Sequence, residues 1–127
     1  MNVKQVIVVN NELRSKLRHG KLAAQVSHAS LGAVFSESYV QHREKRIPMS
    51  PELQYWFDDK FTKVVLRADN EEHLLAIHKQ AQEAGLLTAL IEDCGNTVFH
   101  GPTITCVGIG PATDDQLNPI TGDLKMY

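Results

Sequence analysis

With 127 residues, 43% of them hydrophobic and 22% charged, the chain has the size and composition of one globular domain with a single core, residues 1–127. No run nears the roughly 20 apolar residues of a bilayer crossing, and the N-terminus leads directly into a short apolar stretch, so neither a membrane span nor a secretory leader is expected. The formal charge of −2 hides an uneven distribution: residues 1–46 carry eight Lys and Arg against three Glu, a formal +5, which leaves −7 for the remainder.

Val6-Ile7-Val8-Val9 is a β-branched run bounded by Asn10-Asn11, the pattern of a central strand buried on both faces. A basic, polar connection follows from Glu12 to His19. From Gly20-Lys21 the period becomes helical through Leu22, Val26, Ala29 and Ala33, and the helix is expected to run to about Arg46, ahead of Pro48. Ser50-Pro51-Glu52 predicts a capped short helix through Phe57. Lys63–Arg67 is a second strand. Asp69 to Ala84 is an amphipathic helix, with Asp69 as its cap, Leu74, Ile77, Ala81 and Ala84 as its stripe and Gly85 as its stop. Leu87–Ile91 gives a third strand, and Thr103–Gly110 a fourth that ends at Gly110-Pro111. Ile104, Ile109 and either Cys106 or Val107 would point inward from it. This order predicts an α/β fold, a three-layer α/β/α sandwich on a small mixed four-stranded sheet. Parallel crossovers lead into the second and third strands, and the last strand is antiparallel.

Two clusters could carry chemistry. Lys21, Gln25 and His28 are spaced i, i+4 and i+7, so they share one helical stripe, and the helix start at Gly20 favours an anion through its free N–H groups. The alternative is an ordinary solvent-facing stripe. The second cluster, Asp93, Gly95, Asn96 and Thr97, follows the third strand, where α/β sheets place ligand-binding groups. A carboxylate there could orient or deprotonate water, and Thr97 could donate to a carbonyl or phosphate; the same residues also make a good turn. Thr103 and Thr105 lie beside this turn on one strand face, or serve simply as strand formers. Cys94 and Cys106 are too few for a disulfide framework or a cysteine zinc site, which points to free thiols in a reducing cytoplasm. Cys94 as a nucleophile with His28 as base ranks below a plain small residue. His73 and His78 lack the spacing of a helical metal pair, and no phosphate-loop or dinucleotide glycine pattern is present, so no metal and no cofactor is expected.

Lys4-Gln5-Val6-Ile7-Val8-Val9, Gly20-Lys21-Leu22-Ala23-Ala24-Gln25-Val26-Ser27-His28-Ala29, Lys63-Val64-Val65-Leu66, Asp93-x-Gly95-x-Thr97, Thr103-x-Thr105, Gly110-Pro111 and Thr121-Gly122-Asp123-Leu124-Lys125 occur in the order and approximate spacing of type 2 peptidyl-tRNA hydrolases. The chain resembles that family along essentially its whole length. The resemblance implies a four-stranded mixed sheet between helices, a homodimer, a cytoplasmic place in translation, and metal-independent hydrolysis of the ester joining a peptide to the 3′-terminal ribose of tRNA. By motif position it places the family's functional residues on Lys21, His28, Asp93, Thr97 and Thr105. Gly20, Gln25, Gly95, Asn96 and Thr103 are then the expected substrate-binding residues.

Peptidyl-tRNA is thus the expected partner, cleaved by direct attack of water. Asp93 would orient or deprotonate the water, Lys21 and the helix start would face the oxyanion or a phosphate, Thr97 and Thr105 the substrate carbonyls, and His28 would transfer a proton or position the tRNA end. A non-catalytic tRNA-binding or regulatory domain that retains the fold is the alternative; a small-ligand α/β module comes third. The chain departs from the family at Asn10-Asn11-Glu12-Leu13, where Arg-x-Asp-Leu is usual, and at Asn96, where arginine is usual. Asparagine lacks the charge and fork of a guanidinium. The long segment Ser36–Phe61, with Arg43, Lys45 and Arg46, would either restore that charge or cover the site.

Overall fold

Val6–Val9 are completely buried because their strand, β1 (Val3–Asn10), is flanked by strands on both sides and by helices above and below. The computed structural model describes Met1–Tyr127. The other sheet strands are β4 (Lys63–Ala68), β5 (Thr88–Asp93) and β6 (Thr103–Thr113), in the order β4-β1-β6-β5. β1 and β4 are parallel, whereas β6 is antiparallel to both β1 and β5, so the sheet is mixed as expected. Alternation along β1 divides the core. Val6 and Val8 join Leu66, Leu74, Ile77 and Val107 beneath α3 (Glu71–Glu83) and α4 (Asp114–Thr121). Ile7 and Val9 meet Leu17, Ala29 and Cys106 beneath α1 (His19–Val34). A three-layer α/β/α arrangement results. The C-terminal tail runs along the free edge of β4: the Arg67 N–H donates to Lys125 O and the Tyr127 N–H to Val65 O, at 3.0 and 3.1 Å. That pairing protects an edge that would otherwise be open.

Several boundaries differ from expectation. α1 ends at Val34, not near Arg46, because the Ser36 and Ser38 hydroxyls take the Ala33 and Phe35 carbonyls at 2.7 and 2.6 Å and compete with further helical turns. A hairpin follows, β2 (Tyr39–Gln41) and β3 (Glu44–Arg46), turning at His42 and Arg43 with φ of 52° and 64°. Both turn residues are left-handed, as a tight hairpin requires. α2 (Pro51–Asp58) is capped by Ser50 as predicted. On α3 the cap is Asn70, whose Oδ1 accepts from the His73 N–H at 2.8 Å, and not Asp69. β6 runs past Gly110-Pro111 to Thr113, which opens α4 with a reciprocal Thr113–Gln116 capping box. No helix is long and apolar enough to cross a membrane.

The segment Ser36–Phe61 neither covers the Lys21 end of α1 nor brings charge to it. Its hairpin leaves the far end of the helix, 13 residues beyond Lys21, or roughly 20 Å at the α-helical rise. Arg46 is bonded to Glu44 and Gln41, and Lys45 lies over the Phe35 ring.

Candidate functional site

α1 lies unusually close to β6. A Cβ on Gly108 would collide with the Ala29 carbonyl, so glycine in this strand marks a close backbone approach. The same strand is bulged one turn along: Ile91 pairs with Cys106 and Glu92 with Ile104, which leaves Thr105 as the extra residue. The bulge puts Thr105 and Cys106 on the α1 face together. Thr105 Oγ1 donates to Gln25 Oε1 at 2.6 Å, and Cys106 Sγ donates to the Gln25 carbonyl at 3.3 Å. Burial pushes the Cys106 thiol up to about 11, so it stays protonated as that donor.

These contacts fix Gln25, which is buried, and Gln25 passes the constraint on. Its Nε2 donates to Asp93 Oδ1 at 3.3 Å, and Lys21 Nζ reaches the same oxygen at 2.6 Å. The Gly95 N–H donates to Asp93 Oδ2 at 3.0 Å. Asp93 therefore sits at the end of β5 with both oxygens accepting. Lys21 donates nothing else to the protein, which leaves two ammonium N–H bonds free. The hydrogen bond from Lys21 holds the Asp93 carboxyl below the usual carboxylate range; burial opposes this, while Gly95 and the charge of His28 reinforce it. Because the folded value is depressed, the stability contributed by ionised Asp93 is complete above its unfolded value, near ~3.9, and is lost as pH falls through the folded one. In denaturant titrations at stepped pH, the stability of wild type over Asp93→Asn is expected to hold from pH 7 to about 5 and to shrink below about 4.

The connection from Asp93 to β6 closes on itself. Gly95 has φ of +86°, and a Cβ there would lie 2.6 Å from the Gly101 backbone. Thr103 Oγ1 donates to Gly101 O at 2.9 Å and secures that neck, while Phe99 inserts beside Leu17 and Cys106. Gly95→Ala is expected to open the loop, release one donor from Asp93 and cut turnover by about tenfold or more, with global stability down by 1–3 kcal/mol. Turnover and thermal melts on one preparation would check this.

The structure brings Lys21, Gln25, Asp93, Gly95 and Thr105 into one network. Thr105 is completely buried and its hydroxyl donates to Gln25, whose side chain it positions. Gln25 is likewise buried, and its amide supports Asp93. His28, Asn96 and Thr97 are exposed beside the network without hydrogen bonds, and Gly20 stands in open space at the start of α1. Arg18 caps that helix without a side-chain bond; the Lys21 N–H donates back to Arg18 O at 3.1 Å, and the His19 and Gly20 N–H groups remain open to an anion. Asn10, in place of an expected arginine, is buried and caps the following turn through the Glu12 N–H at 3.0 Å. Phe99 and Gly108 were not anticipated as site residues; an isolated glycine in a strand was the available signal for Gly108.

Fold and site together define a small α/β domain with a buried, ammonium-paired carboxylate at the strand ends. The family described as "Peptidyl-tRNA hydrolase PTH2" matches residues 3–127, and the chain belongs to it. It is 42% identical to the peptidyl-tRNA hydrolase of Methanopyrus kandleri over 123 residues, covering 97% of each chain. It is 38% identical to those of Methanothermobacter thermautotrophicus and Nanoarchaeum equitans, covering 98% of this chain and 99% of each relative.

Proposed function

We propose that the chain hydrolyses the ester between a peptide, or an N-blocked aminoacyl group, and the 3′-terminal ribose of tRNA, with the chemistry centred on Lys21 and Asp93. The observation that carries this reading is their 2.6 Å pair, clamped by Gln25 and Gly95 beside an uncapped helix start. Water adds to the ester carbonyl carbon, the bond to the ribose oxygen breaks, and that oxygen takes a proton. A carboxylate held below its usual pKa is a weak proton acceptor, so Asp93 orients the water and holds Lys21 in place. The two free Lys21 N–H bonds stabilise the oxyanion. Thr97 donates to the peptide carbonyl, His28 supplies the proton or holds the tRNA end, and Gly20 and Asn96 border the bound ester.

The mechanism needs no metal. Lys21 already balances the Asp93 charge, and an ammonium 2.6 Å from the carboxylate opposes a second cation there. Release of N-acetyl-aminoacyl groups from tRNA is expected from wild type with or without EDTA, and from Asp93→Asn at no more than about one-thousandth of that rate. Tight binding without release by wild type would favour the non-catalytic tRNA-binding reading. A homodimer belongs to the same proposal, supported by the exposed apolar side chains Leu31, Tyr39, Val40 and Met49, and so does a cytoplasmic place, which a substrate of the translation machinery supports. Sedimentation at the monomer mass of 14.2 kDa would refute the dimer.

A further inference from the structure

Lys21 and Leu22 are consecutive and so point about 100° apart around α1, while Val26 and Ala23 lie about 140° and about 200° round from Lys21, which puts the three apolar residues on a different face from the ammonium. Lys21 and Gln25 face β5. On the other side, Leu22, Ala23 and Val26 form one wall of an open apolar trough of about 400 Å³, Val65 of β4 lines it, and Met126 and Tyr127 of the C-terminal tail form the facing wall. The trough and the Asp93 site thus flank the start of α1, about one helix width, ~10 Å, apart.

The trough's surroundings decide what it fits. The Arg14 guanidinium lies 4.1 Å from the centroid of the Tyr127 ring, held in place by an Nε donation to Asn11 Oδ1 at 2.9 Å. Arg18 follows at the start of α1, next to His19, which lines the trough, whereas Lys16 Nζ lies over the Phe99 ring at 6.0 Å; neither Arg14 nor Arg18 forms an ion pair. A peptide side chain would use the apolar walls and leave the cations idle. A second copy of the chain would have to bury two uncompensated charges. An unpaired nucleobase uses both features, its faces against apolar and aromatic groups and its phosphates on the cations. We propose that this trough seats a nucleobase from the unpaired 3′ end of the substrate tRNA, with Arg14 and Arg18 on the adjoining phosphates. The inference rests on the peptidyl-tRNA reading above and adds to it a base-binding subsite across α1 from the reacting ester.

The test is a methyl NMR titration of the full chain with the trinucleotide CpCpA, paired with kinetics on N-acetyl-aminoacyl-tRNA. CpCpA is expected to move the methyl resonances of Leu22, Val26 and Met126. The neutral exposed variants Ala23→Gln and Met126→Ala are each expected to raise both the CpCpA Kd and the KM roughly tenfold, as loss of one base stack implies, with kcat within about twofold. The proposal is overturned if those methyl groups stay fixed with CpCpA, or if they move with N-acetyl-leucinamide or with protein concentration alone. It is equally overturned if both variants keep the wild-type KM. Movement with CpCpA from a wild-type chain that fails to cleave the ester supports the trough and sinks the hydrolase reading alone.

Discussion

Lys21→Ala is expected to lower kcat on peptidyl-tRNA by about 10²–10³-fold, the usual loss when one preorganised donor to a developing oxyanion is removed. Lys21 is the only cation bonded to Asp93, and it is held by a carboxylate that Gln25, Thr105 and the Gly95 N–H fix in turn. Stability should change far less than activity, because the ammonium is partly exposed and no core side chain moves. With its strongest partner gone, the Asp93 pKa should rise, which carboxyl NMR would register independently of turnover. A variant with near-wild-type kcat would remove Lys21 from the chemistry. A normal kcat with a raised KM would move it to ground-state binding.

Gly108→Ala is the second large effect, and it acts through the scaffold. The added methyl would meet the Ala29 carbonyl and Cβ of Ala33, so α1 must lift from β6 or the strand must move. Overpacking against rigid backbone is expected to cost about 3 kcal/mol or more of stability. Lifting α1 also draws Lys21 and Gln25 away from Asp93, so turnover should fall well beyond the fraction of protein unfolded at the assay temperature. Gly20→Ala is the control: its Cβ would meet nothing within 4 Å, and its stability should stay within about 0.5 kcal/mol of wild type. Equal melting temperatures for Gly108→Ala and wild type would show that the helix–strand approach carries no strain-sensitive role.

The layers, the strand order of types and the two site clusters were legible in the sequence because they depend on local periodicity. Val6–Val9 as a buried central strand, the α1 stripe bearing Lys21 and Gln25, and Asp93 at a strand end all follow from which residues recur every two or every three to four positions. The length of α1 was not legible, since Ser36 and Ser38 end it through side-chain bonds that compete closely with another helical turn. Alternation also could not decide between Cys106 and Val107 as the inward residue of β6. The bulge at Thr105 shifts the phase, and a bulge is a property of the pairing with β5, not of the strand. That shift aims Thr105 at Gln25 and leaves it buried, where a regular strand would have left its role open. Which face of α1 meets β6, how closely Gly108 lets it approach, and how Gly95 and Gly101 close their loop all join residues far apart in the chain. The sequence therefore determined which groups could carry the chemistry, and long-range packing alone decided that Lys21, 72 residues from Asp93 in the chain, donates to its carboxylate at 2.6 Å.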